Sequence, residues 1–167
     1  LRWWVTVERA DQLKKTIIQQ LNDNELDPEI LLQIIDKSKN WLHPLVRLRL
    51  LEAYEANPSG MPIDKQGYIL NIKGLLYYYL GDYKEAEPLM KRAVEIFEKS
   101  LGKGHPNVAT ALNNLALLYQ EMNRLAEAEP LYKRALAIDE ASFGKDHPKV
   151  ATDLNNLAQL YQATNRL

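Results

Sequence analysis

The chain repeats itself at a fixed offset. His105-Pro106-Asn107-Val108-Ala109-Thr110-Ala111-Leu112-Asn113-Asn114-Leu115-Ala116 returns 42 residues later as His147-Pro148-Lys149-Val150-Ala151-Thr152-Asp153-Leu154-Asn155-Asn156-Leu157-Ala158. Leu118-Tyr119-Gln120 and Asn123-Arg124-Leu125 recur as Leu160-Tyr161-Gln162 and Asn165-Arg166-Leu167. The same step backwards gives a third register, in which Glu85-Ala86-Glu87-Pro88-Leu89 answers Glu127-Ala128-Glu129-Pro130-Leu131. A fixed period of this size belongs to stacked units that each bury a face against their neighbours, not to one closed globule. Function is therefore expected on a surface.

Each unit reads as two helices. Leu112, Leu115, Ala116, Tyr119 and Met122 follow three-and-four spacing, one face of a helix. Asn123-Arg124 breaks it; the earlier counterpart, Gly81-Asp82, offers a glycine for the left-handed position after a helix. A second helix is predicted from about Leu125 to Ser142, with Ala128, Leu131, Tyr132, Ala135 and Ile138 inward, ended at Gly144 before His147-Pro148 opens the next. Pro88 and Pro130 fall five or six residues inside that second helix, where a late helix start or a mild kink would absorb them.

Residues 1–60 lie outside the register yet also read as helical. Val7, Ala10, Leu13, Ile17 and Leu21 form one stripe, and Asp27-Pro28 caps a helix carrying Ile30, Leu31, Ile34 and Ile35. A leucine-rich stretch from Leu45 to Tyr54 ends at the breaker Asn57-Pro58-Ser59-Gly60. The segment is expected to be a helical N-terminal cap, or a diverged helix pair, on the first repeat. The expected divisions are 1–60, then repeats at 61–104 and 105–146, then a first helix at 147–167. Trp3-Trp4 either packs on another domain or stays unpacked.

Charge excludes one class of partner. The formal net charge is −1 over 167 residues, without a basic block of the kind nucleic-acid binding needs. There are no cysteines, which fits a cytoplasmic protein. The longest apolar run, Gly74 to Gly81, is far below the roughly 20 residues of a membrane-spanning helix. Lacking an initiating Met and stopping in mid-repeat at Leu167, the chain reads as a fragment of a longer protein. Its open end, with Leu157, Leu160 and Tyr161, is expected to self-associate.

Candidate chemistry is sparse. His105 and His147 occupy one loop position in successive units, with no second ligand at metal spacing, so they read as part of the turn leading into a helix; His43 is similar. Glu85/Glu87, Glu127/Glu129 and Asp139/Glu140 are expected on solvated faces, complemented between repeats by Lys91-Arg92 and Lys133-Arg134. No phosphate-binding loop, nucleophile elbow or His-Glu-x-x-His motif occurs, and no catalytic residue, metal or cofactor is expected. The asparagine pairs stand out. Asn is a poor helix former, so Asn113-Asn114 and Asn155-Asn156, repeated inside predicted helices, call for a reason. Their amides, both donor and acceptor, suit the backbone of an extended peptide.

Small residues at the helix crossings (Gly74, Ala116 and Ala158 in the first helix, Ala86, Ala93, Ala128 and Ala135 in the second), with Tyr77, Tyr119 and Tyr161 three residues on, resemble the tetratricopeptide repeat. The 42-residue period, Leu112-Asn113-Asn114-Leu115-Ala116 and Glu127-Ala128-Glu129-Pro130-Leu131 are similar to the kinesin-light-chain subtype, also found in large bacterial and cyanobacterial signalling proteins. Coverage runs from about residue 63 to 167. The first repeat departs from the pattern, with Ile72 where the others have Asn114 and Asn156, and Lys73 where they have Leu115 and Leu157.

The resemblance implies an all-α right-handed α–α solenoid whose first helices line a concave peptide-binding groove. Asn71, Asn113 and Asn155 would face it, followed by Leu75, Leu117 and Gln159 and then Tyr78, Gln120 and Gln162. Asn114 and Asn156 would lie at its edge, either touching the ligand or bonding a neighbouring backbone carbonyl to hold the stack. The function implied is a scaffold for a protein or peptide partner, without nucleic acid or membrane. The alternative is a regulatory arm of a nucleotide-dependent signalling enzyme, which a phosphate-binding loop upstream of Leu1 would reveal.

Overall fold

A computed structural model describes residues 2–23, 27–38, 42–56 and 63–164. Among them are eight α-helices and no strand: α1 (Arg2–Asn22), α2 (Pro28–Lys37), α3 (Pro44–Glu55), α4 (Ile63–Tyr79), α5 (Tyr83–Leu101), α6 (Pro106–Glu121), α7 (Leu125–Phe143) and α8 (Pro148–Ala163). They fall into two compact units, residues 1–62 with 79–81, and residues 63–78 with 82–167.

In the first unit α1 and α2 both pack on α3. Asp27 caps α2 as expected, its carboxylate accepting from the Glu29 amide at 2.7 Å. The buried face of α2 differs from the expected one. Leu31, Leu32 and Ile35 are buried, whereas Ile30 and Ile34 are 50% and 44% exposed. On α1, Ala10 is buried but Leu13 is exposed. Arg49 joins α3 to α1 through Asp11 at 2.7 Å, and Lys14 of α1 meets Glu52 of α3 at 2.6 Å. Trp3 and Trp4 lie on α1, but their side chains, like the breaker at 57–60, lie outside what is described.

In the second unit consecutive helices pair: α5 packs on α6, α6 on α7 and α7 on α8. Ala86, Ala93, Ala116, Ala128 and Ala135 are fully buried at the crossings. Gly74 shows why small residues are needed there. A Cβ at that position would stand 2.6 Å from the Met90 side chain of α5. The turn between helices uses left-handed backbone at equivalent positions, Gly81 at φ 78° and Asn123 at φ 57°, the latter tolerated because Asn adopts that region more readily than other side chains. The expected inward face of α7 is present, with Ala128, Tyr132, Ala135 and Ile138 buried and Leu131 half-buried.

The prolines do not delay the helices. α5 starts at Tyr83 and α7 at Leu125, and both run unbroken through Pro88 and Pro130. Both prolines sit on exposed surface, so water can take the carbonyls of Lys84 and Ala126 that lose an N–H partner.

The histidines are helix caps. Nδ1 of His43, His105 and His147 accepts from the backbone N–H two residues on, Leu45, Asn107 and Lys149, at 3.1–3.2 Å. With Pro at the first helical position, each His-Pro pair fixes where its helix begins.

Glu87 and Glu129 depart from the solvated face expected of them. Glu87 on α5 accepts from the Arg124 guanidinium at 2.8 Å and from the Tyr119 hydroxyl at 3.3 Å, and pairs with Lys91 at 2.6 Å. Arg124 also lies 4.1 Å over the Tyr119 ring. These bonds from Arg124, then Lys91, lower the Glu87 carboxyl to about 2. Tyr161 and Lys133 meet Glu129 in the same way one period later. Lys91 and Lys133 pair within their own helices, while Arg134 crosses from α7 to Glu98 of α5 at 2.6 Å.

Candidate functional site

Asparagine side chains link α4, α6 and α8. Asn114 Nδ2 donates to Asn71 Oδ1 at 3.0 Å, from α6 to α4. Asn113 Nδ2 donates to Asp153 Oδ1 at 2.5 Å, from α6 to α8. These bonds offset the poor helix propensity of Asn by tying neighbouring units together. Asn114 thus bonds a side chain of the neighbouring helix, not a backbone carbonyl. Asn71 is itself only 9% exposed, its amide oxygen taken by Asn114.

Beside these bonds a hollow of about 270 Å³ opens between α6, α7 and α8. Asn113, Asn114 and Leu117 of α6 line it with Asn156 of α8, so the second asparagine of each pair shares it with Asn113. Asn155, Gln159 and Gln162 lie exposed on α8 and do not line it. Gln120 accepts from the Tyr132 hydroxyl at 3.3 Å. Leu75 and Tyr78 of α4 are half-buried against the core, Tyr78 stacked on Tyr83 with ring centroids 5.9 Å apart.

Two carboxylates also line the hollow. Asp139 of α7 is 3% exposed and Asp153 of α8 is 1% exposed. Burial raises both carboxyls above the ordinary aspartate value. For Asp153 the Asn113 bond and Lys149 oppose that rise and Asp139 adds to it, while Lys149 and His147 oppose it for Asp139. Tyr132, also on the hollow, is raised by burial as well. Asp139 corrects the sequence reading, which placed it on a solvated face. It lies in step with Ala128, Tyr132 and Ala135, and that spacing could have revealed it. Asp153 was not singled out, although it stands between Val150 and Leu157 on the buried face of α8.

The family model for the tetratricopeptide repeat matches residues 66–141 and again 109–167. The chain belongs to the tetratricopeptide repeat family. Among solved structures it is similar to BtubC (BKLC) from P. vanneervenii, with a TM-score of 0.73 and 21% identity over 95% of this chain. It is also similar to a Podosopora anserina protein described as a putative kinesin light chain with nearly identical TPR-like repeats, with a TM-score of 0.67 and 22% identity over 83% of this chain. A single-substitution variant described in the same words matches 96% of the chain with a TM-score of 0.59 and 20% identity. The chain spans 66% of the length of the first and 65% of the second. The fold is thus the α–α solenoid of tetratricopeptide repeats. Tetratricopeptide repeats mediate protein–protein interaction.

Leu157 and Leu160, expected on an open end, are buried, and Tyr161 is half-buried. The large apolar side chain exposed on α8 is Leu154, at 50%. Among the described residues no helix is long and apolar enough to cross a membrane.

Proposed function

We propose that this chain is a scaffold module that holds a peptide segment of a partner protein along α4, α6 and α8, in the cytoplasm. In this reading residues 61–104 and 105–146 are two repeats, 147–167 opens a third, and residues 1–60 cap the array. The observation that carries it is the group of amides on Asn113, Asn114 and Asn156 lining a hollow whose apolar wall includes Leu117, with Asn71 bonded to Asn114. Amides bond peptide backbone whatever its sequence, and the hollow adds selectivity for a side chain. Asn155, Gln159 and Gln162 would extend the surface along α8.

The test is selection of binders from a random peptide display library, followed by affinity measurement. Leu117→Asp and Asn156→Ala should each weaken the selected peptides by about tenfold or more, the loss expected for one well-placed contact. Peptides that bind both variants as they bind the natural chain would overturn the reading.

A further inference from the structure

The repeat supplies its own control for the hollow. Phe97 stands one period before Asp139, and Ala111 one period before Asp153; both are buried in the apolar core. The fold therefore packs these positions with apolar side chains when nothing else is required. Between α7 and α8 it carries two carboxylates instead, at 3% and 1% exposure, where an unpaired charge is costly. No protein donor reaches Asp139 Oδ1 or Asp153 Oδ2, and none reaches Asn113 Oδ1. All three residues line the hollow. Lys149, which also lines the hollow, has its Nζ 4.8 Å over the Phe143 ring.

We propose that this hollow receives the primary ammonium of a lysine side chain presented by the partner segment, an assignment that rests on the peptide-binding reading above. An ammonium brings three N–H donors to three acceptors that lack one, and its charge meets two carboxylates. A guanidinium carries five donors in a rigid plane and would leave two unmet. A divalent ion needs six or more oxygen ligands for calcium, and near-ideal octahedral geometry for magnesium. Among the described residues no group of three acidic or histidine side chains offers that. Burial raises both carboxyls, against the opposing effect of Lys149, which lines the hollow from α8, and of His147 on Asp139. Tyr132 faces the hollow from α7, and α6 contributes only amides, Leu117 and Thr110.

The experiment titrates the isotope-labelled 167-residue chain with n-butylammonium, the lysine side chain in isolation, and follows amide signals by NMR. Saturable shifts at Asn113, Asn114 and Asn156 are expected, with a Kd of about 10 mM, as befits so small a ligand. Asp139→Phe and Asp153→Ala, which restore the residues of the preceding repeat, should each weaken binding by about tenfold. If Asp139→Phe does not fold, Asp139→Asn carries the same test. Lys149→Met should strengthen binding by removing a like charge at the hollow. Absent shifts, unchanged titration in the aspartate variants, or displacement by calcium at equal concentration would each overturn the proposal. Selected peptides that depend on Leu117 and Asn156 but lack lysine would also overturn it while leaving the groove reading intact. Ammonium binding with no enriched peptide would instead uphold the pocket and sink the groove.

Discussion

Replacing Asp153 with alanine should stabilise the protein at neutral pH. Asp153 is 1% exposed, and its Oδ2 has no protein donor. Burying an unsatisfied acceptor costs about 1–3 kcal/mol, more when it is charged. The substitution also removes the bond from Asn113, a loss of about 0.5–1.5 kcal/mol. The net gain is about 1 kcal/mol, which for a chain of this size raises Tm by about 2–4 °C. The gain also depends on pH. An acid whose folded pKa stands above its unfolded value binds its proton more readily in the native state, so stability falls as pH rises through the folded value. Asp153 is raised above 3.8, chiefly by burial. The penalty is therefore full above the folded value and fades as pH falls through it toward 3.8, and the gain on substitution fades with it. Thermal denaturation by circular dichroism at a series of pH values measures both. A Tm lowered by the same 2–4 °C at every pH would show the carboxylate to be a strut, and would refute the argument.

Three further outcomes follow from the packing. Glu87→Gln should flatten the acid side of the stability curve, because a carboxyl held at about 2 contributes stability above 4.5 that is lost as pH falls toward 2; solvent screening at 20% exposure keeps the contribution near about 1 kcal/mol, readable by urea denaturation at several pH values. His105→Ala should cost about 1 kcal/mol through loss of the α6 cap, while His105→Asp should not, since an aspartate oxygen can accept from the same N–H. Ala116→Leu, at a fully buried crossing, should destabilise by about 1–3 kcal/mol in thermal melts, because the neighbouring helix leaves no room for three more carbons.

The helices of the repeat were legible because period and burial agree. Leu112, Leu115, Ala116 and Tyr119 are spaced as one face and are buried as one face. The turn was legible from Gly81 and its counterpart Asn123, both left-handed. In residues 1–60 the helices were legible but not all their faces, because Ile30 and Ile34 share an apolar run with Leu31 and Ile35, and such a run does not show which side turns inward. The capping role of the histidines depends on a side-chain bond that spacing cannot report. The hollow was half legible. Asn113, Asn114, Leu117 and Asn156 came from the repeat, whereas Asp139 and Asp153 were passed over because charge was read as solvation. Their positions in the buried stripes carried the opposite signal.

Photo-crosslinking measures most directly whether partners lie along the asparagine face. A photoreactive amino acid placed at Leu117, on the hollow, and in a second variant at Ala137, exposed on α7 and absent from the hollow, would be irradiated with a display-selected peptide. Crosslinked peptide is expected from position 117 and none from position 137. Efficient crosslinking at 137 with none at 117 would contradict this.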